Sequence, residues 1–188
     1  MKKNDVCLGM AMKGTLNDFI ASVRKKLESW EKSGIPPRWT LLEELKELQN
    51  LRVSLGLDSV MENPPRLLTA TLDDGWGLGL DVIHLACDAL GIPYTFIGLM
   101  KTPEEIMATC VSNPPDAVGI SVIQEDSVEK LLHLRRLLPQ NIPIFAGGPG
   151  LKDMIEVSSE EKLVIVKNVA HFMKLILENK LSPTTCKA

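Results

Sequence analysis

The stretch from residue 66 to residue 83 limits the fold of this chain more than any other part of its sequence. Residues 66–72 form an apolar run without polar alternation, which predicts a strand buried on both faces of a parallel sheet. Asp73 and Asp74 follow, then three glycines at alternate positions, and then the apolar spacing of a helix. A strand, a tight loop and a helix start in this order are typical of an open α/β sheet, in which ligands bind near the carboxyl ends of the strands.

Further apolar runs follow this stretch, and helical patterns separate them. Strands that alternate with helices predict a doubly wound α/β fold with a five-stranded parallel sheet. Right-handed crossovers and this number of elements favour the flavodoxin-like strand order 2-1-3-4-5. The predicted strands are residues 66–72, 94–99, 116–123, 141–146 and 162–166. The loops expected to flank the crevice at the switch point are residues 73–79, 121–126 and 147–150.

The part of the chain before residue 63 has a helical pattern, which predicts a small helical cap in front of the α/β domain. Apolar residues recur at spacings of three and four from Leu16 onward, so we expect the first helix to begin there. Thr40, with a glutamate three residues later, has the spacing of a capping box, and so does Thr102 in the α/β part. Both threonines are therefore predicted to begin a helix.

Asn63-Pro64-Pro65 is the expected linker, because two consecutive prolines end a helix and leave an extended connection. It divides the chain into a helical region, residues 1–62, and an α/β domain, residues 66–180. A helical hairpin of roughly 45 residues is too small to bury much core alone. Its apolar faces need a partner, which is either the following domain or, in a homodimer, the helices of a second chain.

Charge and cysteine content exclude several classes of function. The net charge is −3 without any basic block, which argues against nucleic-acid binding. No apolar run approaches the ~20 residues that span a bilayer, and the N-terminus lacks a signal-peptide pattern, so we expect a cytoplasmic protein without membrane association. The cysteines form no CxxC pair, which argues against a cysteine metal site or a disulfide framework. They are Cys7, Cys87, Cys110 and Cys186.

The loops match neither of two common phosphate-binding patterns. Their glycines are spaced G-x-G-x-G rather than G-x-G-x-x-G, and the chain has no G-x-x-x-x-G-K-[ST] motif. A phosphoacceptor receiver domain would fit the acidic pair and Lys167, but no aspartate ends the third predicted strand. No Ser-His-Asp, Cys-His or paired-acid arrangement can be assembled from the loops, so we predict no catalytic residue.

Short motifs stand at the ends of the first, third and fourth predicted strands. They are Asp74-Gly75-Trp76-Gly77-Leu78-Gly79, Ser121-Val122-Ile123 and Gly147-Gly148. In their placement the chain resembles the cobalamin-binding domain family over residues 65–179. That family has Asp-x-His-x-x-Gly after the first strand, Ser-x-Leu at the end of the third and Gly-Gly after the fourth. The resemblance implies that all the residues of these motifs bind a corrinoid cofactor.

Trp76 departs from the family motif. The family has a His at this position that ligates cobalt, and Asp74 matches the residue that orients this His. An indole N–H only donates hydrogen bonds and cannot ligate a metal. The resemblance therefore implies cobalamin binding without a metal ligand from this loop. His171, at the start of the last predicted helix, is an alternative axial ligand.

The resemblance implies a corrinoid protein that carries methyl groups between partner methyltransferases. The nucleotide tail of the corrinoid would lie inside the domain, and Trp76 would pack against the corrin ring. Two alternatives stay open. The chain is a sensor or interaction module that binds cobalamin or haem and acts on a signalling partner through its helices. Otherwise it is a relic of the fold without a cofactor, in which Trp76 fills the vacated space.

Overall fold

A five-stranded parallel sheet forms the centre of the protein. The structure, a computed structural model, describes residues 4–152, 154 and 162–181, with side chains from residue 15 onward. The strand order β2-β1-β3-β4-β5 confirms the predicted flavodoxin-like topology. The strands are β1 (Leu67–Thr71), β2 (Tyr94–Phe96), β3 (Ala117–Ser121), β4 (Ile144–Gly147) and β5 (Leu163–Val166).

Helices precede the sheet and connect its strands. Short 3₁₀ turns, Glu125–Ser127 and Pro149–Leu151, follow β3 and β4 in place of longer loops. The helices in the described part of the chain are α1 (Asn4–Ser33), α2 (Arg38–Ser54), α3 (Leu78–Leu90), α4 (Pro103–Ser112), α5 (Val128–Leu137) and α6 (Val169–Leu177).

Different helices cover the two faces of the sheet. Helices α4 and α5 pack on one face, where Leu68, Ile120 and Ile144 belong to one buried cluster. Helices α3 and α6 pack on the other face, where Leu67 and Phe145 belong to a second cluster. A sheet covered on both faces explains the continuous apolar runs of its strands.

Strand β3 is asymmetric, and this asymmetry creates a gap inside the domain. Val118 and Ile120 fill the side that faces α4 and α5. On the opposite side, Gly119 and Ser121 present almost no side chain, and Gly147 continues this surface on β4. Because protein interiors are normally filled by side chains, such a run of small residues beneath α3 and α6 leaves space.

The helical region forms a further layer that packs on α3 and α6. Phe19, Leu27 and Leu45 are buried in the same cluster as residues of α3 and α6. At the far end of α2, the Arg52 guanidinium donates to the Asp88 carbonyl at 3.0 Å. The apolar faces of the hairpin thus find their partner in the following domain of the same chain. The homodimer stays a prediction.

Both predicted starts of the N-terminal helices are wrong. Helix α1 begins at Asn4 rather than Leu16, because the residues between them contain no proline and include good helix formers such as Met, Ala and Lys. Helix α2 begins at Arg38, and Pro37 occupies its N-cap position with φ −51° and ψ 149°. Thr40 therefore lies inside the helix and caps nothing.

The capping box predicted at Thr102 is confirmed. The Glu105 backbone N–H donates to the Thr102 hydroxyl at 3.2 Å, and the Thr102 N–H donates to the Glu105 carboxylate at 2.8 Å. These two bonds satisfy backbone donors that have no partner within the first turn of a helix.

Candidate functional site

The three motifs predicted from the sequence meet at one edge of the sheet. Ser121 is the register partner of Thr71 on β1 and of Gly147 on β4, so the three strands end at the same level. The loops that follow these strands consequently lie side by side. This placement agrees with the general position of ligand sites in open α/β sheets.

Asp73 ties two of these loops together. Its carboxylate accepts hydrogen bonds from the Ile123 N–H at 2.9 Å and from the Gln124 N–H at 2.8 Å. Hydrogen bonds from backbone N–H groups to a carboxylate are among the stronger ones in proteins. Asp73 therefore holds the loop after β1 against the loop after β3.

Asp74 is buried, with 2% of its surface exposed. Its Oδ1 accepts from the Trp76 backbone N–H at 2.7 Å, and its carbonyl oxygen accepts from the Thr71 hydroxyl at 2.6 Å. Its Oδ2 has no hydrogen-bond partner among the described residues. A buried polar atom without a partner is costly, and a functional role is one explanation for it.

Trp76 projects from the loop into solvent. The side chain is 84% exposed and does not line the internal cavity described below. The expectation that Trp76 fills a vacated space is therefore wrong for this structure. The backbone explains the position, because Gly77 adopts φ 68° as the N-cap of α3 and turns the chain sharply after the tryptophan.

Further apolar side chains are exposed around Trp76. Leu78 is 52% exposed, and Met100, in the loop after β2, is 64% exposed. The Met100 sulfur lies 3.5 Å from where a Cβ on Gly75 would stand, so the loops after β1 and β2 are in contact. Ile123 lies half-exposed at the end of β3. These side chains give the carboxyl edge of the sheet an exposed apolar surface, which is typical of interaction sites.

A cavity of about 440 Å³ lies beneath this edge, between the sheet and helices α3 and α6. Of the predicted site residues, Gly79, Ser121, Gly147 and Gly148 line it, whereas the remaining ones do not. A Cβ on Gly79 would lie 3.3 Å from the Ser121 hydroxyl, so any side chain at position 79 would enter the cavity.

Gly148 brings two loops into close contact at the mouth of the cavity. Its φ is 127°, a conformation that favours glycine, and a Cβ here would lie 2.1 Å from the Val122 carbonyl oxygen. Val122 itself is fully buried in the cluster that α4 and α5 cover. A glycine at position 148 is therefore required by the packing of the loops after β3 and β4, whatever the ligand.

Several lining residues were not predicted from the sequence. Ile35 reaches the cavity from the turn between α1 and α2 and Leu41 from α2, and Phe145 and Phe172 reach it from β4 and α6. Of the lining residues that were missed, only Gly119 could have been predicted from the sequence, because small and large residues alternate in β3. The others depend on tertiary packing.

Helix α2 is fixed beside the site by Arg38. The guanidinium donates to the Leu78 carbonyl at 2.5 Å and to the Asp81 carboxylate at 3.1 Å. Both acceptors lie in the first turn of α3, directly after the glycine loop. The helical region is therefore in contact with the site through hydrogen bonds as well as apolar lining.

The charged residues that line the cavity in the described part of the chain are Lys152 and Lys167. Lys167 directly follows β5, and its backbone N–H donates to the His171 Nδ1 at 3.2 Å. His171 also donates its own backbone N–H to the Asn168 side chain, which caps α6. His171 itself does not line the cavity, and its role as an axial ligand stays a prediction.

The remaining histidines have structural contacts away from the cavity. The Nε2 of His84 lies 2.9 Å from the Thr69 hydroxyl, the ring stacks on Tyr94 at 4.2 Å between centroids, and burial lowers the pKa of His84. His133 pairs with Glu104 on the surface at 2.9 Å.

Two cysteines lie among the residues whose side chains are described, and both are buried free thiols. Burial raises the pKa of Cys87 and raises that of Cys110 to about 11, which keeps both thiols protonated and unreactive. Cys7 and Cys186 lie outside the residues whose side chains are described.

Within the described residues, no group of three or more His, Cys, Asp or Glu side chains is arranged to hold a metal ion. None of the helices described is both long and apolar enough to cross a membrane.

Comparisons with known proteins indicate a family and a fold. The model of the B12 binding domain family matches residues 67–167, which is more than half of the chain. No curated protein sequence matches the chain.

Two solved structures share the fold at low sequence identity. A cobalamin-binding protein from Desulfitobacterium hafniense superposes with a TM-score of 0.65 at 14% identity, over 93% of this chain and 89% of that chain. The monomethylamine corrinoid protein of Methanosarcina barkeri superposes with a TM-score of 0.50 at 15% identity, over 74% of this chain and 63% of that chain. At these identities the likeness is one of fold.

Proposed function

The chain belongs to the B12-binding domain family, and we propose that it binds a corrinoid whose nucleotide tail enters the cavity beneath the carboxyl edge of the sheet. The cavity carries this proposal. It lies behind Gly79, Ser121 and the glycine pair at 147 and 148, and all four belong to the family motifs. Its volume falls within the roughly 300–1,000 Å³ of small-molecule sites.

The lining of the cavity fits the tail of a corrinoid. The tail ends in a flat and largely apolar base, and apolar walls with few polar groups suit such a ligand. Ile83, Phe145 and Phe172 supply apolar walls. The Ser121 hydroxyl lies inside and can donate or accept one hydrogen bond.

The exposed surface above the cavity fits the corrin ring. Trp76, Leu78 and Met100 are large, apolar and exposed at the mouth. We propose that the ring lies on this surface and that Trp76 packs against its lower side. The indole offers no lone pair for a metal, so the loop after β1 supplies no ligand to cobalt. When bound, the corrinoid supplies the cobalt chemistry, and the residues of this chain bind and orient it.

A carrier of methyl groups is the role we propose for this corrinoid protein. The part of the cavity described contains no pair of side chains that could act as nucleophile and general base. Chemistry at the upper side of the ring is then left to partner methyltransferases. The shared fold of the Methanosarcina barkeri corrinoid protein supports this role.

One observation favours a sensor as the second candidate. Ile35 and Leu41 of the helical region line the cavity, and Arg38 binds the first turn of α3. A ligand in the cavity would therefore contact the helical region directly and could change its position. In this function the partner is a signalling protein, and haem is the alternative ligand.

Closing the cavity tests the proposal. Gly79→Leu places a side chain towards Ser121, and we expect it to weaken hydroxocobalamin binding at least tenfold in a titration followed by visible absorbance. Ala108→Leu, at an exposed position on the opposite face of the sheet, is the matched control and should bind as the unaltered protein does. Circular dichroism and a thermal melt check that both variants fold.

The same titration decides between the alternatives. Equal binding by Gly79→Leu and by the unaltered protein would contradict insertion of the tail. Binding of hemin with a Soret band, and no binding of hydroxocobalamin, would favour the haem alternative. Binding of neither would favour a relic of the fold.

A further inference from the structure

Apolar residues line most of the cavity, and positively charged residues line one side of it. Among the described residues that line it, Lys152 and Lys167 are the charged ones, and no carboxylate lines it. Neither lysine forms an ion pair with a described residue. An anion would be attracted to this side.

Two adjacent strand ends bring these lysines to the same cavity. Gly147 and Val166 are register partners, so β4 and β5 end at the same level. Lys167 directly follows β5, and Lys152 follows the 3₁₀ turn after β4. The bond from the Lys167 N–H to the His171 ring fixes the backbone at the first of these positions.

The amino end of α6 adds to this positive potential. Asn168 and Val169, the N-cap and first residue of the helix, line the same cavity. The N-terminus of a helix carries a partial positive charge and favours anions within its first turn. Two lysines and a helix N-terminus therefore line a space whose other walls are mostly apolar.

We propose that Lys152 and Lys167 bind the phosphodiester of the corrinoid's nucleotide tail and thereby select complete corrinoids over those that lack the tail. This inference rests on the proposed function. A phosphodiester carries one negative charge at neutral pH, which the two lysines and the helix N-terminus would share. The apolar base of the tail would then lie deeper, between α3 and the sheet.

The test compares two corrinoids on the full chain. Cobalamin contains the phosphate, whereas cobinamide lacks the whole nucleotide tail. The variants are Lys152→Gln, Lys167→Gln and the double variant, and Lys130→Gln on α5, an exposed lysine on the opposite face, is the matched control. Dissociation constants come from titrations followed by visible absorbance at two concentrations of NaCl.

We expect the double variant to bind cobalamin roughly tenfold more weakly, because each lysine is solvent-exposed and contributes modestly. Its affinity for cobinamide should stay unchanged, and so should both affinities of Lys130→Gln. Added salt should weaken cobalamin binding by the unaltered protein more than by the double variant. Lys→Arg at both positions should restore most of the affinity.

Two results would overturn the inference while leaving the proposed function intact. One is unchanged affinity of the double variant for cobalamin. The other is an equal loss for cobalamin and cobinamide, which would indicate a general defect of the site. If the unaltered protein binds neither corrinoid, the proposed function itself is wrong and the inference falls with it.

Discussion

Asp74 retains an unused acceptor beside the residue that distinguishes this chain from its family. One carboxylate oxygen accepts from the Trp76 backbone N–H, and the other, Oδ2, is buried without a partner in the described structure. In the family pattern this carboxylate orients a metal-bound His, and here the side chain at position 76 is an exposed indole instead. If the resemblance to the family motif holds at this position, the carboxylate stands where it could orient a histidine at position 76.

Trp76→His should recreate a ligated site at the residue scale. An imidazole at position 76 can donate one ring N–H to Asp74 and present its other nitrogen to cobalt. We expect the spectrum of bound hydroxocobalamin to shift to that of an imidazole-ligated form whose imidazole comes from the protein. The double variant Trp76→His with Asp74→Ala should show a weaker shift, and Trp76→Phe should show none. An unchanged spectrum in Trp76→His would contradict the position proposed for the ring.

Two identical sequence patterns behave differently at the scale of the element. Thr40 and Thr102 are each followed three residues later by glutamate, yet only Thr102 caps a helix. Pro37 decides the first case, because its extended backbone already starts α2 at Arg38. A local pattern therefore predicts a cap only where no neighbouring residue starts the helix earlier.

Thr102→Ala should lower the free energy of unfolding by about 1 kcal/mol, since it removes the side-chain acceptor of a capping box. Thr40→Ala is the matched control. It changes an exposed position inside α2, where alanine is the better helix former, and should leave stability unchanged or slightly higher. Urea denaturation followed by circular dichroism measures both, and an equal loss in the two variants would contradict the assignment of these caps.

The sequence predicted the edge of the site better than its interior. Strand ends are marked locally by Asp74, Ser121 and the glycine pair, so their meeting at one edge followed from the topology. Ile35 and Phe172, which form walls of the cavity, lie far apart along the chain. They come together only through the packing of the helical region against α6. Such contacts leave no local pattern that could be recognised in advance.

The helical region is part of the core at the scale of the whole molecule. Leu45 of α2 is fully buried, and it belongs to one cluster with residues of α1, α3 and α6. A single cluster that spans both regions favours one cooperative unfolding transition. A partner that moves the helices would have to break this shared core.

Leu45→Ala should destabilise the entire protein by about 3 kcal/mol, because it leaves a cavity in this shared core. Leu51→Ala, at an exposed position of the same helix, should cost less than about 1 kcal/mol and serves as the control. Urea unfolding is followed by far-ultraviolet circular dichroism and by tryptophan fluorescence, which includes the buried Trp30 of α1. Separate transitions by the two probes would show that the helical region unfolds independently.

Corrinoid binding by the unaltered protein is the most direct test of the whole account. The full chain is mixed with excess hydroxocobalamin, passed through gel filtration and measured by visible absorbance against protein concentration. We predict one corrinoid per chain, with a spectrum that shows no imidazole ligand from the protein. Elution of the protein without any corrinoid would contradict the account.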